Sequence, residues 1–302
     1  MKVLKKNSAG DEVKIVQYLI GYTTKLGIFT SGLESKIITL QKEYGLIPDG
    51  IVGNDTYCAI AEKSSILKKK KGKTNANRAW QTFLNIEVDG IFGDDTLAKT
   101  KEFQKKNGLK VNGEVDPMTW RAAFGVQKKN ITIVQPKNFK QNDPKWENIL
   151  YTYKNTYSKK QTIGNSGCGP SALADIVATW WNEKVTPVEM CKLAVDKGYR
   201  RKTGGTNYKF FEYVAKLYGG HYCETTSHTY AKKAVENGHY VIVSVGPSRW
   251  TNGGHFICWW KISGNTVYIN DPYDTKYTKI KEKAPYSELK KARKKYFILY
   301  KD

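Results

Sequence analysis

The sequence predicts a multidomain protein, in which two small all-α repeats of three helices each precede an α+β domain with an antiparallel sheet. Three observations predict this. The first part of the chain is duplicated, apolar residues recur at helical spacing within each copy, and the remainder is rich in tyrosine and tryptophan with strand-like runs. A chain of 302 residues suffices for two or three domains, since a typical domain has about 100 to 150 residues. The predicted domains are 1–64, 74–126 and 139–302, with exposed linkers at 65–75 and 126–138.

The charge of the chain is strongly positive, with 50 lysine and arginine residues against 28 aspartate and glutamate residues and a formal net charge of +22. Such a charge attracts polyanions over long distances, but it does not by itself distinguish nucleic acid, acidic membrane and anionic cell wall. The hydrophobic fraction of 40% is that of a folded protein. No segment has the roughly 20 apolar residues of a membrane span. We therefore expect a soluble globular protein that does not insert into a membrane.

The cysteines have irregular spacing, which fits neither a disulfide framework nor a zinc-binding CxxC pair. They are Cys58, Cys168, Cys191, Cys223 and Cys258. The sequence therefore predicts a reducing environment, no metal site and no cofactor. The amino-terminal residues MKVLKKNSAGDEVK carry basic side chains without a following apolar stretch, unlike a secretory signal peptide. We expect synthesis in a cytoplasm.

The duplication aligns residues 27–56 on residues 90–119 with a constant offset of 63 residues. Within each copy, apolar residues at helical spacing alternate with glycine-rich turns, which predicts three short helices. The turn DGIVGNDT, beginning at Asp49, and the turn DGIFGDDT, beginning at Asp89, are nearly identical. Aspartate and glycine are typical of tight turns that precede a helix, so we assign both aspartates an architectural role.

The spacing of the repeat, Q-x-x-[IL] followed by [FL]Q-x-x-x-GL-x-x-[DN]G-x-V-x-x-x-T[WY], resembles the peptidoglycan-binding domain found beside many cell-wall hydrolases. Both copies fit this pattern, at Leu40-Gln41 and at Phe103-Gln104. Tyr57 stands in the first copy where the family usually has tryptophan. The resemblance implies that the partner of the repeats is bacterial peptidoglycan and not nucleic acid.

In the third domain, the segment TIGNSGCGPSALADIVATWWNE places Cys168 directly before a run of apolar residues at helical spacing. Pro170 is tolerated in a first helical turn, and the neighbouring glycines allow other chain segments to approach the sulfur. A helix amino terminus carries free amides and positive potential, which lower a thiol pKa and stabilise an oxyanion. Cys168 is therefore the candidate nucleophile.

A nucleophilic thiolate needs a general base, and of the four histidines His255 has the most suggestive setting. It follows two glycines and opens the apolar run HFICWWKI, a position that fits the mouth of a cleft. His221, His228 and His239 lie in or beside polar turns, where exposed histidines without a chemical role are typical. His255 is thus the candidate base.

The run HFICWWKI and the following run TVYINDP have the pattern of a β-hairpin with residues 263–265 as its loop. With that three-residue loop, Asp271 faces Ile257 and lies diagonally across from His255, about 7 to 8 Å away at the backbone. Asp271 can then orient the imidazole and stabilise its cationic form. A two-residue loop would shift the register by one and bring Asp274 opposite His255, so Asp274 is the alternative.

The motifs QNDPKW, TIGNSGCGPSA, GGT, VIVSV, GGHF and NDP together resemble cysteine peptidases related to the bacteriocin-processing, double-glycine family, which have a papain-like fold. The resemblance implies that Cys168 is the nucleophile, His255 the base and Asp271 the orienting acid. Transporter-linked members carry an oxyanion glutamine six residues before the cysteine, where this chain has Thr162. Gln161, one residue further away, is therefore the candidate oxyanion donor, together with the backbone amide of Cys168.

Wall-binding repeats joined to such a peptidase predict a peptidoglycan hydrolase that cleaves an amide bond in peptidoglycan peptides, as an endopeptidase more than as an amidase. The basic charge favours anionic Gram-positive walls. Cytoplasmic synthesis combined with wall-binding repeats predicts a phage endolysin that reaches the wall after release. Two alternatives are a leader-peptide processing protease, in which the repeats would have no purpose, and an inactive wall-binding protein, against which the intact Cys, His and Asp motifs argue.

Overall fold

A computed structural model describes residues 1–127, 130–153, 161–273 and 282–301 of the chain. The chain divides into two compact units, Met1–Asn130 and Ile131–Asp302.

The first unit contains the predicted three helices in each repeat. Those of the first repeat are α1 (Asp11–Leu19), α2 (Ser31–Tyr44) and α3 (Asn54–Lys63), and those of the second are α4 (Asn75–Leu84), α5 (Asp94–Lys106) and α6 (Pro117–Phe124). Two short antiparallel strands, β1 (Lys70–Lys73) and β2 (Ile91–Phe92), pair beside them.

The two repeats share one hydrophobic core rather than forming two independent ones. Helix α1 packs against α4 and helix α3 against α6, and the ring of Tyr57 in the first repeat lies 4.9 Å from that of Phe124 in the second. The predicted linker 65–75 is partly built into this unit, because Leu67 is buried and pairs with Val115 by two backbone hydrogen bonds. The sequence signal for this packing is an apolar residue, Leu67, next to a run of lysines, and the linker prediction did not take it into account.

Buried glutamine side chains hold the glycine turns of the repeats. Each glutamine accepts, through Oε1, a hydrogen bond from the backbone amide of a glycine with positive φ, a conformation that other residues rarely adopt. The pairs are Gln17 with Gly27 (2.7 Å), Gln41 with Gly50 (2.9 Å), Gln81 with Gly90 (2.7 Å) and Gln104 with Gly113 (2.9 Å). Asp49 and Asp89 accept hydrogen bonds from two of these glutamines, so both aspartates are part of the turn architecture.

The second unit combines helices with an antiparallel sheet, as the sequence predicts. Its helices are α7 (Ile163–Ser166), α8 (Cys168–Trp180), α9 (Pro187–Asp196), α10 (Lys209–Leu217), α11 (His228–Glu236) and α12 (Tyr286–Ala292). Its strands are β3 (His221–Thr225), β4 (Tyr240–Val245), β5 (His255–Ser263), β6 (Thr266–Asn270), β7 (Lys283–Pro285) and β8 (Arg293–Tyr300). Within the described residues, six strands pair antiparallel in the order β3-β8-β4-β5-β6-β7.

Helix α8 is the central helix of this unit. It packs against β5, β4 and α9, and every residue from Gly169 to Ala178 is buried. A helix that is buried on all sides is expected to be apolar around its whole circumference. The one carboxylate in that run, Asp175, is therefore an exception that requires a partner.

The hairpin of β5 and β6 has a different turn from the predicted one. Ser263 pairs with Thr266, so the turn has two residues and not three, and Gly264 has φ 57, as the first position of such a turn favours. The prediction of a three-residue loop was wrong. Further along, Trp259 pairs with Ile269 whereas Lys261 pairs with Tyr268, because Trp260 is an extra residue in β5.

This β-bulge shifts the register by one residue and so cancels the effect of the shorter turn. Cys258 pairs with Asn270, and Asp271 follows in the register that the sequence analysis derived from the longer loop. The alternative acid, Asp274, lies outside the described residues.

The second unit begins at Ile131, eight residues before the boundary that the sequence predicts at residue 139. The backbone carbonyl of Val134 accepts a hydrogen bond from Tyr240 Oη at 2.8 Å, and the Lys137 amide donates to Thr179 Oγ1 at 2.8 Å. Because the segment 131–138 contains neither helix nor strand, its sequence has no periodic pattern from which its packing could be predicted.

Candidate active site

Cys168 is the first residue of helix α8, as predicted, with Gly167 before it as the N-cap. The thiol is free and half-buried. Space is restricted around it, since a Cβ atom on Gly169 would lie 3.1 Å from Thr206 Oγ1. The sulfur lies at the amino terminus of α8, where the free amides and the positive end of the helix act on it.

His255 is the first residue of β5 and is 8% exposed. Its Nε2 donates a hydrogen bond to Asp271 Oδ1 over 2.7 Å, and the same oxygen accepts from the backbone amide of Tyr273 at 2.9 Å. Asp271 is fully buried. Because Nε2 is engaged by the carboxylate, Nδ1 is the ring nitrogen left for Cys168, to which the imidazole also hydrogen bonds. The structure thus brings the three predicted side chains together.

The electrostatics of the pair favour the thiolate form of Cys168 and the imidazolium form of His255. Burial opposes ionisation of Cys168, but the hydrogen bond and charge of His255 and the backbone amides of Phe256 and Gly169 lower the pKa of the thiol below its ordinary value. Burial alone would lower the pKa of His255, whereas its hydrogen bonds to Asp271 and Cys168 and the charges of both raise it to about 9. A thiolate is the reactive form of cysteine.

A buried cation lies behind the turn that precedes Cys168. Arg200 is 1% exposed, and its Nη2 donates to Ser166 Oγ at 3.0 Å while Nη1 donates to the Gly205 carbonyl at 2.8 Å. The guanidinium also lies 4.1 Å from the ring centroid of Tyr151. Burial lowers the pKa of Arg200, whereas interactions with groups that include the Cys168 thiol raise it. No carboxylate of the described residues forms an ion pair with Arg200.

The other sequence candidates differ in their placement. Gln161, the candidate oxyanion donor, is half-buried, and its backbone carbonyl accepts from the Tyr151 amide at 2.8 Å. His228 was expected to be exposed, yet it is buried against Tyr286 and Tyr296, and burial lowers its pKa to about 4. A histidine that opens a helix after a polar turn is not distinguishable by pattern from one whose ring points into an aromatic cluster.

The remaining cysteines, Cys58, Cys191, Cys223 and Cys258, are buried and free. Among the described residues, no group of three or more histidine, cysteine, aspartate or glutamate side chains is arranged to hold a metal ion. Likewise, no helix in the described part of the chain has the length and apolar character needed to cross a bilayer.

Two residues near the site were missed by the sequence analysis. Gln141 is 3% exposed; its backbone amide donates to the Pro272 carbonyl and its Nε2 donates to the Gly164 carbonyl, each at 2.6 Å. Asp175 lies fully buried in α8. The only sequence signal for Asp175 was an acidic residue among apolar positions of a helix, and Gln141 had none beyond its place in the QNDPKW motif.

Family comparisons agree with both halves of this description. Residues 137–301 match the Peptidase_C39-like family, and residues 10–60 and 79–123 each match the peptidoglycan binding domain. The chain therefore belongs to the C39-like peptidase family, and its amino-terminal unit carries two repeats of the peptidoglycan binding domain.

Three individual relatives are similar to parts of the chain. The solved structure of a double glycine motif protease from an AMS/PCAT transporter, in complex with its leader peptide, has 21% identity and a TM-score of 0.31, covering 45% of this chain and 84% of that one. A C39-like peptidase from Bacillus anthracis has 15% identity and a TM-score of 0.38, covering 58% and 99%. An uncharacterized protein in the bpoA1 3'region of Kitasatospora aureofaciens is 47% identical over 38 residues, which are 13% of this chain and 32% of that protein. This match spans about a third of the curated relative's length.

Proposed function

We propose that the protein is a peptidoglycan hydrolase that cleaves an amide bond in peptidoglycan peptides with Cys168 as its nucleophile. The observation that carries the proposal is the meeting of Cys168, His255 and Asp271 in a chain that also carries two peptidoglycan-binding repeats. A binding domain on a long-lived polymer raises the local concentration of cleavable bonds without any added contact at the active site.

The geometry supports acyl-enzyme chemistry in two halves. The Cys168 thiolate attacks the carbonyl carbon of the scissile amide, and the carbonyl oxygen takes up the negative charge. The backbone amide of Cys168, at the helix amino terminus, and the candidate side chain of Gln161 stabilise that oxyanion. The C–N bond then breaks, and the imidazolium of His255 donates its proton to the leaving amine.

The second half releases the acyl group. Neutral His255 removes a proton from a water molecule, whose oxygen attacks the thioester carbonyl carbon. The C–S bond breaks, the carboxylic acid product leaves, and the proton held by His255 again balances the thiolate. Asp271 keeps the imidazole in the tautomer and orientation that both halves require.

The substrate proposal follows from the repeats and from the charge. An endopeptidase that cuts stem or cross-bridge peptides fits a family of peptidases better than an amidase that cuts at the lactyl group. The net charge of +22 favours the anionic walls of Gram-positive bacteria. We further propose that the protein acts as a phage endolysin, reaching the wall after release from the host cytoplasm.

The test is a Cys168→Ala variant of the full chain, added to purified Gram-positive walls. We expect turbidity clearing to be lost while the variant still pellets with the walls, and we expect the matched Cys258→Ser variant to clear them. Mass spectrometry of the fragments released by the unmodified protein identifies the bond. Clearing by Cys168→Ala at the normal rate would rule out the proposed mechanism.

A further inference from the structure

A short segment without helix or strand, residues 134–141, crosses the second unit between helix α8 and the end of β6. We call it the brace. On the side of α8, the Phe139 amide donates to Asp175 Oδ1 over 2.7 Å, and the Lys137 amide donates to Thr179 Oγ1 over 2.8 Å. The brace is therefore fastened at two consecutive turns of the helix that begins with Cys168.

On its other side the brace is fastened next to the candidate acid. Asn270 Nδ2 donates to the Lys137 carbonyl at 2.8 Å and lies 3.3 Å from the Pro136 carbonyl. Lys140 Nζ donates to the backbone carbonyl of Asp271 at 2.7 Å. The position at which β6 ends is thus set by hydrogen bonds to the same short segment.

The two sides also meet directly, since Asn270 Nδ2 donates to Asp175 Oδ2 at 3.4 Å. Both residues are fully buried. Asp175 lies seven residues after Cys168, about two turns along one face of α8, and Asn270 immediately precedes Asp271. The contact between Asp175 and Asn270 is therefore linked to Cys168 through helix α8 and to Asp271 through a single peptide bond.

Core packing alone does not account for these two polar residues. A buried carboxyl or amide costs free energy unless it is hydrogen-bonded, and an apolar side chain of similar volume generally packs as well. Burial raises the pKa of Asp175 well above its ordinary value, whereas hydrogen bonds from the Phe139 amide and Asn270 oppose that rise. The side chain holds the brace and Asn270 through these hydrogen bonds.

We propose that Asp175 and Asn270 are positioning residues of the candidate active site, which together with the brace set the distance between Cys168 and Asp271. The inference rests on the proposed roles of Cys168, His255 and Asp271. When the Asn270 side chain is removed, the end of β6 loses its hydrogen bonds to Asp175 and Lys137, and Asp271 shifts away from His255. His255 then loses the carboxylate that keeps its imidazolium stable.

The test follows the imidazole of His255 by NMR in the full-length chain, labelled at its four histidines. In Asn270→Ala we expect the pKa of His255 to fall by about one unit or more, because an opposite charge at close range is weakened. Wall hydrolysis should lose up to about 100-fold in kcat with KM nearly unchanged, the usual effect of a misplaced catalytic group.

Thr179→Val is the matched control. It removes a hydrogen bond between the same brace and the same helix, and the hydrogen bonds of the Thr179 hydroxyl are with the Lys137 amide and the Asp175 carbonyl. Because Asp175 still holds Phe139 of the brace, we expect a much smaller change in the pKa of His255 than in Asn270→Ala. If Thr179→Val lowers the pKa as much as Asn270→Ala does, general loosening explains the effect and the proposal is overturned.

If Asn270→Ala does not fold, Asp175→Asn tests the same proposal. The asparagine oxygen still accepts from the Phe139 amide, whereas its amino group faces the amino group of Asn270, so only the link toward Asp271 is lost. We expect the pKa of His255 to fall in the same direction. An unchanged pKa in the folded Asn270→Ala or Asp175→Asn variants overturns the proposal. The NMR titration needs no peptidoglycan, so failure of the Cys168→Ala test leaves this result readable.

Discussion

His255 and Asp271 meet across β5 and the end of β6, with 2.7 Å between Nε2 and Oδ1, because Trp260 is an extra residue in β5. A regular hairpin with the two-residue turn at Gly264 would place residue 271 one position away and turn its side chain to the other face. The β-bulge at Trp260 is therefore part of what assembles the candidate site, in keeping with the frequent occurrence of bulges next to active sites.

We expect Asp271→Ala to lower wall hydrolysis strongly and Asp274→Ala to lower it much less. Losing the orienting acid costs roughly 10⁴-fold in a serine protease, and we expect a smaller loss here because a thiolate-imidazolium pair is partly formed before substrate binds. The measurement is kcat with purified walls. The opposite ranking of the two variants would show that Asp274 is the partner of His255.

The dependence of activity on pH follows from the two pKa shifts. The reactive form pairs a Cys168 thiolate with a His255 imidazolium, so it exists above the thiol pKa, which is lowered, and below that of His255, which is about 9. We expect kcat/KM to rise with pH at values below the ordinary thiol pKa and to fall as pH increases through about 9. Asp271→Ala should move the alkaline fall to lower pH, because the carboxylate that stabilises the imidazolium is gone. An alkaline fall that does not move would contradict the role of Asp271.

The fold and most of the site were predictable because their signals are local. Duplicated glycine turns indicated the repeats, and a cysteine before a helical apolar run indicated the start of α8. Asp271 was predicted from a wrong turn length, since the two-residue turn and the bulge at Trp260 compensate each other. Neither the turn length nor the bulge can be predicted from the sequence pattern, because the alternation of apolar residues does not show which residue lacks a partner on the neighbouring strand.

Residues that act through distant contacts were not predictable in the same way. Asp175 and Asn270 are 95 positions apart in the chain, and Arg200 reaches Ser166 over 34 positions. Periodicity assigns such residues to a face of a helix or strand, but it does not indicate which side chain will meet them there. Residues 134–138 of the brace were likewise taken for an exposed linker, since their structure consists of hydrogen bonds and not of a repeating pattern.

Arg200 provides a prediction about the electrostatics behind Cys168. The guanidinium is buried without an ion-paired carboxylate among the described residues, and its interaction with the Cys168 thiol favours the charged state of both. We expect Arg200→Met to raise the thiol pKa, measured as the pH dependence of alkylation of Cys168 by iodoacetamide. Arg200→Lys is the control, because it keeps the positive charge but not the two-pronged contact to Ser166 and Gly205.

Comparison of Arg200→Lys with Arg200→Met separates the effect of the positive charge on the thiol pKa from the effect of the hydrogen bonds to Ser166 and Gly205. If the charge matters, the alkylation profile of Arg200→Lys stays nearer to that of the unmodified protein than the profile of Arg200→Met does. Equal profiles for the two variants, both shifted, would assign Arg200 an architectural role in holding the Ser166 and Gly205 segments. Melting temperatures measured alongside report the loss of stability that either substitution causes.

The last prediction concerns the oxyanion donor, for which two glutamines have different structural settings. Gln161 is half-buried and seven residues before Cys168, whereas Gln141 is buried and held between the Gly164 and Pro272 carbonyls. Removing one donor from an oxyanion hole lowers kcat by about 10² to 10³ with little change in KM. We expect this selective loss in Gln161→Ala. Gln141→Ala should instead lower the melting temperature together with activity, since the Gly164 carbonyl loses its buried side-chain donor while the backbone bond to Pro272 remains. A near-normal kcat in Gln161→Ala, with a selective loss of kcat in a stably folded Gln141→Ala, would transfer the oxyanion role to Gln141.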